Sequence, residues 1–261
     1  MNRPKACACA IEVLPSIWRF GTVTSCLDTA FHLAERHMLP PWGSVQAVQQ
    51  SAGRGQLRRQ WYSPPGNIYA AVRLPVHDPF NGSKAAPVVG IFMAEALCAE
   101  GWAVSLKWPN DLVFCPKDNA PVKVGGILLE ERRNILLAGI GINVTWAPTL
   151  ANMREQTSLG ATCLGRWQRF GGLPVPTAEE LWQCLVTRLY SAYTHLDECN
   201  RDWAKRAEAV LLWRDRQVEL VDETGVIQGR LIGLGTGGGI LLERVGLCEE
   251  FFHGSLYLSS R

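Results

Sequence analysis

Residues 51–61 read SAGRGQLRRQW, with two glycines and three arginines in one short segment closed by an aromatic. Gly53 and Gly55 have no Cβ, so their backbone N–H groups can approach an anion closely. Arg54, Arg58 and Arg59 carry forked donors suited to phosphate or carboxylate. A solvated Gly/Arg surface loop has the same composition, so the segment gains meaning only from what accompanies it. Residues 106–112, LKWPNDL, place Pro109 at a turn with Asn110 and Asp111 at its tip. Lys107 and Asp111 suit a nucleotide and its magnesium; a hairpin turn over a buried Trp108 is the plainer alternative. Residues 123–130, KVGGILLE, set Lys123 beside Gly125 and Gly126, which leave room for a ligand against the strand. Lys123 can offset charge developing where a carboxylate meets a phosphate. Residues 139–144, GIGINV, again put glycines inside a strand and follow them with Asn143, a donor and acceptor.

The elements that must hold these groups can be read from periodicity. Leu27, Ala30, Phe31 and Ala34 recur at helical spacing behind Ser25, a plausible cap. Residues 44–49 alternate as a strand, and 67–74 read as a second strand after the turn SPPG. Residues 86–100 read as a mostly buried helix ended by Gly101. Two hairpins follow, 103–107 with 112–115 and 124–130 with 135–142. The pattern weakens over 145–176, which reads as a long loop. Thr177 and Glu180 form a capping-box pattern at the head of one or two helices over 177–209. From Gln217 short strands alternate with glycine-rich turns, as in a small β-barrel starting near residue 213. Helices and strands are mixed without regular βαβ alternation, which predicts an α+β fold.

The chain has 261 residues, a net charge of +2 and 47% apolar residues. That supports a sizeable core and excludes a disordered chain. The charge is too small for a duplex-binding stripe, so no nucleic acid partner is expected. Nine cysteines without a CxxC pair read as reduced thiols, and the CxC at Cys7 and Cys9 as chance. No stretch approaches a membrane span, so the expectation is a cytoplasmic protein with no membrane partner.

In this order and spacing, AGRG, the WYSP from Trp61, KWPNDL, KVGGIL and GIGIN resemble the catalytic domain of biotin protein ligases. The helix start TSCLDTAFHLA and the C-terminal GRLIGLGTGGGILLE with HGSLYL extend the resemblance from about Phe20 to the end. It implies a class II synthetase-like mixed sheet with helices and a small C-terminal SH3-like β-barrel. The corresponding division is an N-terminal extension over 1–19, a catalytic domain over 20–212 and a barrel over 213–261. It implies ATP-dependent activation of biotin to biotinyl-5′-AMP with magnesium. Transfer to a lysine of a biotin carboxyl carrier domain would follow. By position, Ser25, Cys26, Gln50, Gly53, Arg54, Lys123, Gly125, Gly126, Gly139 and Ile142 correspond to biotin-binding residues. Arg59, Trp61, Lys107, Asn110 and Asn143 fall on the nucleotide side. Lys123, Arg54 and Arg59 would carry catalysis, and Asp111 would serve magnesium.

The chain departs from the family pattern at Gln56 and Arg58, where an arginine and a glycine are usual. Gln56 lacks the charge, which Arg58 would restore from a shifted position. Cys26 stands where threonine is common, and GLG at 233–235 replaces the usual GID. With about twenty residues before the match, a monofunctional ligase without an operator-binding head is expected. A homodimer through exposed strand edges is possible on this pattern. The competing functions are a biotin-binding homologue with impaired chemistry and a lipoate or octanoate ligase.

Overall fold

The computed structural model describes residues 15–56, 59–116, 120–149, 159–196 and 203–259. Cys7, Cys9 and most of the expected N-terminal extension lie outside the described residues, as does Arg58.

A seven-stranded mixed sheet forms the body of the molecule, in the order β1-β2-β3-β7-β6-β5-β4. Its strands are β1 (Ile17–Val23), β2 (Ser44–Gln50), β3 (Ile68–Leu74), β4 (Val104–Lys107), β5 (Asp111–Phe114), β6 (Val122–Arg132) and β7 (Ile135–Ile142). Only β1 and β2 pair in parallel; the other neighbours are antiparallel. β1 was not read from the sequence, and it begins inside the stretch expected to be an extension. It is an edge strand with mostly exposed side chains, so it carries little hydrophobic alternation.

Helix α1 (Cys26–Glu35) covers one face of the sheet through Leu27, Ala30, Phe31 and Ala34, the stripe its sequence spacing predicts. The other face is covered by α2 (Ala85–Ala99) and α3 (Ala178–Thr194). α2 is apolar on nearly every side because it is buried between the sheet and its neighbouring helices. Gly82–Ala99 is the one described helical stretch long and apolar enough to cross a membrane, and most of it is buried inside the molecule. Thr177 and Glu180 close the expected capping box at the start of α3. The stretch read as a long loop contains two short 3-10 turns, Leu164–Arg166 and Phe170–Gly172.

After α4 (Trp203–Val210) come β8 (Gln217–Asp222), β9 (Gly225–Leu234), β10 (Ile240–Arg244), β11 (Leu247–Phe251) and β12 (Ser255–Leu258). They form a five-stranded antiparallel sheet in the order β11-β10-β9-β8-β12. Its buried residues Val218, Leu220, Leu231 and Leu256 join the core beneath the larger sheet. Leu234, in the GLG departure, is buried with them.

One irregularity positions the site. Leu112 pairs with Gly125 but Val113 pairs with Lys123, so Val124 is an extra residue in β6. This β-bulge shifts the alternation by one. Lys123 therefore shares a face with Gly126 and Glu130, where strict period-two counting would put it opposite both.

Candidate functional site

Register alignment lays one row of residues across the face that α1 covers. Lys107 pairs with Asp111, Asp111 with Gly126, Gly126 with Gly141, and Gly141 with Tyr69. Directly paired residues point the same way, so this row is an ammonium, a carboxylate, a two-glycine floor and a tyrosine. Lys123 reaches over the row. Its Nζ lies 2.5 Å from Asp111 Oδ1 and 5.5 Å from the centre of the Trp61 ring.

Trp61 lies flat on the floor. A Cβ at Gly141 would fall 2.7–2.8 Å from the indole, and one at Gly126 would meet Lys123 Cε at 3.2 Å. Any side chain larger than hydrogen at Gly141 would expel the ring. The indole Nε1 is buried without a hydrogen-bond partner among the described residues. A buried N–H without an acceptor costs on the order of 1–3 kcal/mol.

The glycine-arginine segment is a narrow hairpin leading to this tryptophan. Arg54 bridges to Gln60, Gly55 N–H donates to Arg59 O at 2.8 Å, and Trp61 N–H donates to Gly53 O at 2.9 Å. Gly53 is required there: a Cβ would sit 2.4 Å from Trp61 O and 2.7 Å from Ser63 Oγ. Arg54 anchors the hairpin to the sheet and to α1. Its guanidinium donates twice to Asp28, at 2.6 and 2.8 Å, and once to Glu130 at 3.3 Å. That bidentate bond holds Asp28 below the usual carboxylate range and Arg54 above the usual guanidinium range. Arg132 also approaches both Asp28 and Glu130. Arg59 is exposed and makes no ion pair with a described residue.

Asp28, Glu130 and Arg132 were missed in the sequence. Ser25-x-x-Asp28 has the spacing of a capping box, which hides its use. Unlike Thr177, Ser25 makes no side-chain cap bond, and Asp28 is committed to Arg54. The Ser25 hydroxyl is thus free of described partners at the start of α1. Beside it, Gln50 Oε1 accepts from Cys26 N–H at 2.8 Å, and Gln50 Nε2 donates to Ser63 Oγ at 2.9 Å. A hollow of about 360 Å³ opens here, lined by Gln50, Ser51, Gln60, Trp61, Ser63 and Trp146 among others. Arg54 and Lys123 share a face of the sheet, but neither lines this hollow; Trp61 fills the space expected between them.

Several expected site residues are placed elsewhere. Ile142 is fully buried in the core on the opposite face, and Gly125 faces that way too, toward Leu112 and Ile142. The bulge and the strand alternation account for both. The Cys26 thiol donates to Tyr69 O at 3.1 Å and is buried, which pushes its pKa up to about 12. It is a packing group, and only its backbone N–H borders the site. Asn110 braces the turn after β4 by donating to Ile127 O at 2.7 Å. Asn143 donates to Thr162 O at 3.0 Å. Gly139 lies under Leu27 of α1, extending the floor toward the helix. Asp111 is a lone carboxylate paired to Lys123, and no cluster of three His, Cys, Asp or Glu able to hold a metal occurs among the described residues. This donor set fits a magnesium ion coordinated chiefly by phosphate and water, and it does not make a protein cage.

Residues 31–146 match the biotin/lipoate A/B protein ligase family. A biotin–[acetyl-CoA-carboxylase] ligase of Paracoccus denitrificans is 34% identical over 116 residues, which are 40% of this chain and 45% of that protein. The bifunctional ligase/repressor BirA of Salmonella typhimurium is 27% identical over 224 residues, 82% of this chain and 66% of that protein. The chain thus spans less than two thirds of the length of these curated relatives. The structure of biotin protein ligase from Aquifex aeolicus in complex with biotin and ATP superposes with a TM-score of 0.74 at 27% identity. It covers 94% of this chain and 99% of that one.

Proposed function

From a chain that carries a biotin/lipoate A/B protein ligase family domain, we propose a biotin protein ligase that joins biotin to AMP and passes it to a carrier lysine. In this reading residues 20–212 are the catalytic domain, residues 213–261 its C-terminal companion, and the enzyme works in the cytoplasm. The observation that carries it is the glycine floor at Gly126 and Gly141, roofed by Trp61 and flanked by Lys123 and the Arg54 hairpin.

Biotin enters where Ser25 and Gln50 present polar groups to its ureido edge. Its fused rings need a flat apolar bed, which Gly126 and Gly141 supply once Trp61 lifts. Its carboxylate then competes with Asp111 for Lys123. A carboxylate oxygen attacks the α-phosphorus of ATP; the new P–O bond forms as the bond to pyrophosphate breaks. Lys123 offsets charge on the approaching oxygens, and Arg59, exposed and in no ion pair with a described residue, is available to the phosphates. Magnesium bound to the nucleotide would neutralise its phosphates, with Asp111, the carboxylate paired to Lys123, placed to help hold it. The product is a mixed anhydride that water would destroy, so the hairpin, pinned by Arg54 to Asp28 and Glu130, excludes water while the intermediate waits. A lysine amine of the carrier domain attacks the acyl carbon, AMP departs with its oxygen, and the amine loses its proton.

The test is to incubate the protein with ATP, biotin and a biotin carboxyl carrier domain and to weigh the carrier. Addition of one biotin to the carrier lysine is expected. An unmodified carrier, with no pyrophosphate released, would refute the assignment; labelling by lipoate in preference to biotin would replace it.

A further inference from the structure

The row across the sheet does not stop at Lys123. It ends at Lys107, at the seam with the C-terminal sheet. Lys107 is only 9% exposed and makes no ion pair with a described residue. Its cross-strand neighbour Asp111 is taken by Lys123 at 2.5 Å. In place of a carboxylate, Lys107 Nζ has two aromatic rings, Tyr257 at 5.6 Å and Trp213 at 6.0 Å to the ring centres. Lysines are almost never buried without a partner, because the ammonium loses its hydration. Burial lowers the Lys107 pKa, and the charge of the nearby Asp111 offsets only part of that.

Both rings belong to the C-terminal part of the chain, and the chain is built to hold them there. Leu212 N–H donates to Leu106 O at 2.9 Å, fastening the segment before Trp213 alongside β4. Trp213 itself has φ of 64°, left-handed backbone that a bulky residue adopts only under constraint. On the neighbouring side, Trp108 Nε1–H donates to Gly238 O at 2.9 Å, and Ser83 donates to Gly237 O at 2.6 Å. The C-terminal sheet thus grips the Leu106-Lys107-Trp108 segment from two directions.

We propose that Trp213 and Tyr257 are positioning residues for the ligation: their rings hold the Lys107 ammonium, in no ion pair with a described residue, at the end of the glycine-floored row, where it receives the polyphosphate of the nucleotide. The proposal rests on the ligase reading. Ring faces stabilise a cation without pairing its charge, so the Lys107 ammonium is left for an incoming anion. A carboxylate in their place would satisfy Lys107 and compete with phosphate. The C-terminal sheet is, on this view, one wall of the nucleotide site.

The experiment measures biotin-dependent exchange of pyrophosphate into ATP for the full chain, with KM for ATP, KM for biotin and kcat taken separately. Tyr257→Leu is expected to raise KM for ATP about five- to ten-fold, the scale of one cation–π contact. KM for biotin should be unchanged. Tyr257→Phe, which keeps the ring, should restore the wild-type value. In a Lys107→Met background, Tyr257→Leu should add nothing further, since the ring acts through the ammonium. Lys107→Met alone leaves both rings packed and gives the same readout if the leucine variant does not fold. An unchanged KM for ATP in Lys107→Met, equal losses in the Leu and Phe variants, or additive losses in the double variant would overturn the proposal. Wild-type protein without biotin-dependent exchange would overturn the ligase reading and this proposal together. Normal wild-type exchange with an indifferent Lys107→Met would remove this proposal alone.

Discussion

Strands β6 and β7 present two faces built to opposite ends. Toward α2 and α3 they offer Val124, Ile127, Ala138, Ile140 and Ile142, all buried in the main core. Toward α1 the same strands offer Gly126, Gly139 and Gly141, with Lys123 and Glu130 at the margins. One face is filled with side chains that stabilise by burial. The other is packed by Leu128, Ile135 and Leu137 at its far end but emptied of side chains around Gly126 and Gly141, where an indole lies whose N–H has no partner among the described residues. Such an arrangement sacrifices packing in return for room. Side chains on the first face should therefore govern stability, and those on the second should govern ligand chemistry.

That contrast can be broken or sharpened by substitution. The largest effect is expected on the packed face: Ile140→Ala should lose about 2–5 kcal/mol of stability in a urea titration. Biotin affinity per folded molecule should be nearly unchanged. Lys123→Ala, on the open face, should do the reverse. Adenylate formation should weaken by about 2–4 kcal/mol of transition-state stabilisation while melting stays near wild type. A near-normal rate in single-turnover assays would show that Lys123 has been given the wrong role. Arg54→Ala should leave Asp28 and Glu130 to Arg132 alone and loosen the hairpin by about 1–3 kcal/mol. Faster release of biotinyl-5′-AMP from a preformed complex would register this, and unchanged retention would count against the anchor.

A smaller effect concerns pH. Asp28 titrates lower folded than unfolded, where a free aspartate has a pKa of about 3.9. Its contribution is fully present above that value and is lost as pH falls through the folded one. Proteolytic nicking of the hairpin should therefore be flat from pH 8 to pH 5 and rise only in stronger acid. A rise near neutrality would mean that a different group holds the hairpin. The smallest effect is expected from Gln56→Arg, an exposed charge gain worth less than about 1 kcal/mol, read as slower intermediate release.

Much of this was legible before any coordinates. Helical spacing located α1 and α2, and alternation located β2, β3 and the two hairpins. Lys123, the glycine-arginine segment and Gly126 were named as site residues, whereas Gly141, the other half of the floor, was not. The failures have physical causes. β1 is an exposed edge strand, so burial wrote little into its sequence. Gly125 and Ile142 were assigned to the pocket by position in the resemblance, which does not register strand alternation. Alternation sends Ile142 to the core, and the bulge at Val124 sets which of Gly125 and Gly126 faces the cleft. Asp28, Trp213 and Tyr257 were invisible because their partners are distant in sequence, and only the fold brings them to Arg54 and Lys107.

The most direct test is pyrophosphate exchange into ATP, with and without biotin, for the wild type and Lys123→Ala side by side. Exchange that requires biotin and collapses in the variant, with both proteins folded, is the predicted result. Exchange that ignores biotin, or that survives loss of the Lys123 amine, would contradict the placement of the reaction on the glycine floor.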